Sequence, residues 1–289
     1  MPPLDDSAGP FEAHRALILG IAYRMLGSWS DAEDIAQEAW LRWSDSSAAE
    51  VRSPRAYLTT LTARLCLDHI KSARVRREKY VGPWLPEPVA EPTPDPVERA
   101  ETISYAFLVL LETLTPTERA VFILREAFDT GYTEIAGLLE LSESNCRQLF
   151  KRAKDHLAAN RPRFAPEPER RQALMAAFFR ASAQGDLDAI ASMLKHGAVL
   201  IGDGGGKVAA AGRPIEGAAA IAKFMASLGR LAPPGLSLEW ITVNGGDPAL
   251  LATDGGTVVT LAICEFDGEQ IRRIFMVRNP DKLRRFVRG

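Results

Sequence analysis

Between Gly131 and Leu157 the chain reads GYTEIAGLLELSESNCRQLFKRAKDHL, two short amphipathic helices with a tight turn between them and a basic second helix. Gly131 can cap the first helix, Glu134 stands at its third position, and Ile135, Ala136, Leu138 and Leu139 make its apolar face. Ser142 caps the second helix, in which Cys146, Leu149, Phe150, Ala153 and Leu157 recur at helical spacing. Ser144, Asn145, Arg147, Gln148, Lys151, Arg152 and Lys154 are left facing outward. Their amide and guanidinium forks match base edges, and the lysines and arginines reach phosphates. The pattern fits a helix-turn-helix that presents one helix to a DNA groove. A helical hairpin with a solvated charged face satisfies it too.

Net charge bears on that choice. At −2 the chain is poorly suited to grip DNA unaided, because nonspecific affinity comes from neutralising phosphates. Either the positive charge is local or a partner holds the DNA. With 289 residues, 46% hydrophobic and 25% charged, the chain is globular and has room for two or three domains. No apolar run is long enough to span a bilayer, and the N-terminal MPPLDDSAGPFEAH lacks the basic and apolar regions of a signal peptide, so a cytoplasmic protein is expected. Cys66, Cys146 and Cys264 are far apart within apolar patterns and read as core thiols. Neither a metal site nor a cofactor is implied.

Two composition breaks divide the chain. In VGPWLPEPVAEPTPD, Val81 to Asp95, closely spaced prolines forbid a regular helix, and 80–96 is expected to be an acidic linker. RPRFAPEP, Arg161 to Pro168, breaks the helix before it. Three modules are expected, at 11–79, 97–160 and 169–289.

The first module is helical throughout. Leu17, Ile18, Ile21, Ala22, Met25 and Leu26 form a stripe that stops at Gly27. Ser30 is expected to open the next helix, with Glu33 completing a capping box and Ile35, Ala36, Ala39, Trp40 and Trp43 inside. Asp31, Glu33, Asp34 and Glu38 make the other face unusually acidic, either a solvated surface or a dock for a basic partner. Ser53 and Pro54 mark a third helix, with Leu58, Leu61 and Leu65 inside and a strongly basic end at His69, Lys71, Arg74, Arg76, Arg77 and Lys79.

DAEDIAQEAWLRW, SPRAYLTTLTARLCLDHIKSARVRR and LTPTERAVFILREAF, running into the helix-turn-helix, resemble in that order a bacterial RNA polymerase sigma factor of the extracytoplasmic-function (ECF) group, over the first 160 residues. The resemblance implies that Asp31, Asp34, Gln37, Glu38 and Arg42 dock on the clamp helices of RNA polymerase core. It also implies that Arg64, His69, Lys71, Arg74, Arg76 and Arg77 bind the −10 element of promoter DNA as its strands separate. Ser144, Asn145, Arg147 and Gln148 would then read bases of the −35 element, with Lys151 and Arg152 nearer phosphates. Arg64 stands where many members have Asn. Tyr57 could stack on a base but fits a packing role better. A sigma factor held on DNA through polymerase also removes the charge difficulty.

The third module reads as helices at Glu169–Gly185, Leu187–Lys195 and Gly217–Leu228. Strands LSLEWITVNG, PALLATDG, GTVVTLAICEFDG and EQIRRIFMVRNP follow, with turns at Asn244-Gly245, Asp254-Gly255 and Asp267-Gly268. The fold class expected for the chain is therefore multidomain: two all-α domains, then an α+β cone with a central pocket. The last segment resembles SnoaL-like polyketide cyclases and ketosteroid isomerases, which leaves room for a small-molecule ligand in the cone. Candidate catalysts are sparse. His196 reads as a helix C-cap, and Asp203 with Lys207 in DGGGK reads more readily as a flexible turn with solvated charges than as a catalytic site.

WLPEP at Trp84–Pro88, DGGGK at Asp203–Lys207 and NPDKL at Asn279–Leu283 resemble the ECF subgroup that carries a fused SnoaL-like domain as a built-in regulator. Trp84, Leu85 and Pro86 form a stiff apolar handle expected to lie against the cone near its mouth, with Asp203, Lys207, Asn279, Asp281 and Lys282 as polar anchors, and the sparse catalytic candidates argue against an enzyme. Two other readings stay open: a ligand-sensing helix-turn-helix regulator, and a SnoaL-like enzyme with a DNA-binding appendage.

Overall fold

The structure is a computed structural model that describes residues 8–45, 51, 53–78, 80–91, 103–162, 164 and 166–286, with no side chain described at 8, 72–78 or 91. It divides into two compact units. One comprises 1–78, 94–102 and 107–160, and the other 79–93, 103–106 and 161–289.

The first unit is helical: α1 (Ala8–Glu12), α2 (Arg15–Leu26), α3 (Trp29–Ser44), α4 (Pro54–Glu78), most of α5 (Tyr105–Leu111), α6 (Pro116–Glu126), α7 (Tyr132–Leu139) and α8 (Glu143–Asn160). Gly27 stops α2 in the left-handed region, φ 67°, where a glycine carries no Cβ penalty. The next cap is Ser28, whose hydroxyl accepts from the Asp31 amide at 3.2 Å, so the expected start at Ser30 is corrected by two residues. An earlier start brings Trp29 inside, edge-on to Tyr23 at 5.3 Å. Trp43 is fully buried against Tyr57, which takes the packing role. Thr115 and Glu118 make the capping box of this unit, with Pro116 at the first helical position.

The second unit has α9 (Pro168–Gln184), α10 (Leu187–Ser192), β2 (Leu194–Asp203), β3 (Ile215–Glu216), α11 (Ala218–Arg230), β4 (Leu236–Val243), β5 (Asp247–Asp254), β6 (Thr257–Asp267), β7 (Gln270–Val277) and α12 (Pro280–Leu283). It also contains β1 (Ala90–Glu91), contributed by the proline-rich stretch. The sheet order is β1-β4-β5-β6-β7-β2-β3, antiparallel except for the β2–β7 pair. Two expectations are corrected here. The helix expected to reach Lys195 ends at Ser192, and Leu194–Asp203 is a strand that pairs with β7, so strands precede the third helix. His196 accordingly caps no helix and lies exposed on β2. The hairpins turn where Asn-Gly and Gly-Gly supply positive φ, at Asn244–Gly245 and at Gly255–Gly256.

Strand alternation gives this sheet two buried faces. Leu200, Cys264, Ile274 and Met276 point into the core under α9, α10 and α11. Leu261, Ile263, Phe275 and Val277 point the other way and are also buried. Tyr105 stands edge-on to Phe275 at 5.5 Å on that second side, and Leu85 and Val89 are buried as well. The proline-rich stretch is therefore not a solvated spacer from Leu85 to Val89; it is part of a core.

Candidate functional site

On α3, Asp34, Gln37 and Glu38 are exposed with Leu41 beside them, 62% exposed. Arg42 pairs with Glu38 at 2.5 Å on the same face. Asp34 and Gln37 make no side-chain bond among the described residues, which leaves the face available to a partner. Asp31 sits differently. It is half-buried and faces His69 of α4 at 3.5 Å, which brings together two residues assigned to separate partners. On α4, Arg64 is exposed and Lys71 pairs with Asp68 at 3.1 Å. Arg74, Arg76 and Arg77 lie on the last turns of that helix, and their side chains are outside the described residues.

The helix-turn-helix forms as its residues dictate. Gly131 caps α7, Glu140 turns the chain at φ 56°, and the Ser142 hydroxyl accepts from the Asn145 amide at 3.2 Å. Cys146, Leu149, Ala153 and Leu157 are buried, with Phe150 stacked on Phe122. Ser144, Arg147, Gln148, Lys151 and Arg152 are exposed and Asn145 half so. Arg147 lies 4.4 Å over the Tyr132 ring and pairs with Glu143 at 3.3 Å, while Arg152 is 3.9 Å from Glu118. The Gln148 and Lys151 side chains are unengaged among the described residues.

A third constellation lies within the second unit, where DGGGK, NPDKL and WLPEP meet. Asp203 is fully buried at the end of β2, so it is not the solvated turn residue that its glycines suggest. Its Oδ1 accepts from Tyr80 Oη at 2.5 Å and the Gly205 amide at 3.0 Å. Oδ2 accepts from the Leu85 amide at 2.9 Å and Lys282 Nζ at 2.7 Å. Four donors fill the acceptor capacity of a carboxylate. Lys282 also donates to Leu85 O and lies 4.2 Å from the centre of the Trp84 ring. Asn279 caps α12, accepting from the Asp281 amide, and donates to Tyr80 Oη at 2.9 Å. Lys207 pairs with Asp281 at 2.6 Å, which holds the Asp281 carboxyl below the usual range. The glycines follow from crowding: a Cβ on Gly205 would stand 2.4 Å from Asn279 Nδ2, and one on Gly206 would stand 2.9 Å from Val81 Cβ. Burial and the Asp203 hydrogen bond push the Tyr80 phenol well above its ordinary pKa, so it stays a donor.

Two family models match the chain: Sigma-70 region 2 at residues 10–76, and Sigma-70 region 4 at 104–157. The ECF RNA polymerase sigma factor SigJ of Mycobacterium tuberculosis is 37% identical over 287 residues, spanning 94% of this chain and 91% of SigJ. The chain belongs to the ECF group of RNA polymerase sigma factors. The crystal structure of SigJ superposes on this sigma factor with a TM-score of 0.74 at 32% identity, covering 96% of this chain and 98% of that one, so the likeness includes the C-terminal unit. The probable ECF sigma factor SigI of the same species is 36% identical over 198 residues, 67% of this chain and 68% of SigI. A sigma factor works with RNA polymerase core and promoter DNA. No described helix is long and apolar enough to cross a membrane.

Some residues that tie the linker segments of this sigma factor to its cone carry no motif. Tyr80 closes the Asp203 site. Asn244 accepts from the Val89 amide at 3.0 Å and donates its own amide to Val89 O at 3.1 Å. Asp247, 5% exposed, accepts from the Tyr105 amide at 2.7 Å and from Arg171 at 2.5 Å, and Tyr105 Oη donates to Pro86 O at 2.8 Å. For Tyr80 and Tyr105 the sequence offers only an aromatic residue on either side of the proline-rich stretch. Asn244 was legible only as a turn residue.

Proposed function

We propose that the C-terminal unit regulates this sigma factor in cis by latching the linker between its two promoter-binding modules. The observation that carries this reading is the buried Asp203 carboxylate, half of whose donors, Tyr80 and the Leu85 amide, come from the linker. Burying a carboxylate is costly unless it is paired and fully hydrogen-bonded. An undocked linker would leave Asp203 two donors short, so docking and the integrity of the site depend on each other. The modules keep the assignments made above: 11–79 for polymerase docking and the −10 element, 80–96 as the latched linker, 97–160 for the −35 element and 169–289 as regulator.

In this reading Asp34, Gln37, Glu38 and Arg42, with exposed Leu41, meet the clamp helices, and Asp31 holds α4 through His69. Arg64, Lys71 and the basic end of α4 hold the −10 strand. On α8, Gln148 and Asn145 face bases and Lys151 and Arg152 face phosphates. In this reading the cone regulates: its cavity is lined mostly by apolar residues, and Asp254 and Arg278 are the charged ones among the described lining residues. The protein acts in the cytoplasm with polymerase.

Run-off transcription with polymerase core tests this. Full-length protein, Trp84→Ala, Lys282→Met and a version ending near Arg161 are compared on a promoter found by selection. Core-dependent initiation whose yield shifts in the same direction in all three variants supports the latch. Yields equal to wild type in every variant would rule it out, and no initiation from any version would rule out the promoter assignments.

A further inference from the structure

Inside the cone is a cavity of about 340 Å³. Its floor and walls are apolar, with Leu200, Met225, Leu250, Ala262 and Met276 inside and Leu231 and Leu238, 77% and 56% exposed, at the rim. That volume lies in the range of roughly 300–1,000 Å³ that pockets for small molecules occupy. Few polar groups line it. The Ser182 and Thr260 hydroxyls are spent on the carbonyls of Phe178 and Val259. Arg278 donates only to Ala209 O and meets no carboxylate among the described residues. A guanidinium without a counter-ion among the described residues, on a largely apolar wall, is the arrangement that selects an apolar anion. Asp254, also on the lining and without an ion pair among the described residues, disfavours a second negative charge on the ligand.

Strand geometry connects this cavity to the latch. Gly202, Met276 and Arg278 line the cavity, whereas the alternate residues Asp203, Val277 and Asn279 turn to the other side, where Asp203 and Asn279 hold Tyr80. Gly202 pairs with Met276 and Asp203 with Val277, and the Arg278 and Asn279 amides both donate to Asp203 O, at 2.7 and 2.9 Å. Displacing one side of these two strand ends therefore moves the other.

We propose that the cavity is a receptor site for a small apolar monocarboxylic acid, its carboxylate on Arg278, whose occupancy alters the hold of Asp203 and Asn279 on the linker. The second clause rests on the cis-regulatory reading given above.

The test uses the full chain with 1-anilinonaphthalene-8-sulfonate as fluorescent apolar anion, displaced by dodecanoate or by dodecanol below their aggregation limits. Saturable binding of one probe per chain is expected, with dodecanoate displacing it better than dodecanol. Arg278→Gln should weaken dodecanoate by about tenfold or more while leaving dodecanol unchanged, since a hydrogen bond to a charged group is lost. Ala262→Phe should abolish both, with melting curves confirming that each variant folds. No saturable binding, or displacement indifferent to Arg278, overturns the receptor site. Amide exchange at Leu85 and Val89 reads the second clause: a several-fold change on adding dodecanoate supports it, and unchanged exchange with dodecanoate bound overturns it. Exchange that changes while run-off yield does not would count against cis-regulation and leave the receptor standing.

Discussion

Asp203 is a single residue on which two distant segments depend, and removing any one of its partners has a calculable effect. Lys282 is about 10% exposed and Asp203 not at all, so solvent screens their pair little. Breaking a buried pair by deleting one member typically costs about 3–5 kcal/mol, because the other charge is left uncompensated. Asp203→Ala should therefore lower stability by that amount in urea unfolding. Asp203→Asn with Lys282→Met should cost less than the sum of the two single changes, and strict additivity would mean that the pair is not coupled. Tyr80 adds a pH dependence. Its folded pKa is raised, so the stability its hydroxyl contributes is present below the ordinary tyrosine value, about 10, and is lost as pH rises through the folded value. The advantage of wild type over Tyr80→Phe should be constant from neutral pH to about 9.5 and shrink above it. A constant difference up to pH 11 would mean that the phenol is not held as described.

At the scale of elements, α8 divides its outward residues by how far they are already committed. Gln148 is unengaged among the described residues, so on the proposed −35 assignment Gln148→Ala should relax preference at one base pair by about 1–3 kcal/mol with little effect on melting. Lys151→Ala should weaken holoenzyme binding evenly across sequences and reduce the salt slope by about one. Arg147 also braces Tyr132, so Arg147→Ala should cost about 0.5–1 kcal/mol of stability as well as binding. A footprinted promoter library and melting curves separate these three outcomes. Most of α8 could be read from sequence because a helix of 3.6-residue period announces its buried face, and Cys146, Leu149, Ala153 and Leu157 needed nothing more. Boundaries set by distant partners could not. Leu194–Asp203 becomes a strand because β7 lies beside it, and a pair more than seventy residues away leaves no local trace. The burial of Asp203 was illegible for the same reason: glycines signal close approach but not whether water or Asn279 and Val81 approach. WLPEP was recognised by likeness, whereas its burial followed from apolar residues on the second face of the sheet, a pattern that strand alternation in β6 and β7 already contained.

For the molecule as a whole, the binding faces must be reconciled with the length of a promoter. Elements named −10 and −35 lie about 25 base pairs apart, or roughly 85 Å of duplex at about 34–36 Å per helical turn. A compact unit of about 140 residues has a radius of gyration of about 14 Å and cannot reach both. Within the first unit the region 4 segment is nonetheless joined to the region 2 segment: Arg119 of α6, 5% exposed, donates to Met25 O at the end of α2 at 2.9 Å and to Glu112 at 2.5 Å. The carbonyl it takes is one of the last in its helix, where a cation is favoured. Arg119 thus stabilises this packing, and on the −10 and −35 assignments proposed above, opening for promoter binding would give up that contact. Arg119→Met keeps the length of the stem and loses the donors. It should raise the radius of gyration of the free protein in small-angle scattering and lower the melting temperature of its helical unit. On a promoter with both elements, holoenzyme should then form more readily at limiting sigma factor. If scattering and melting match wild type, Arg119 does not hold the two regions together, and their closed packing must rest on the remaining contacts of α2 and α4 with α6 and of α4 with α7.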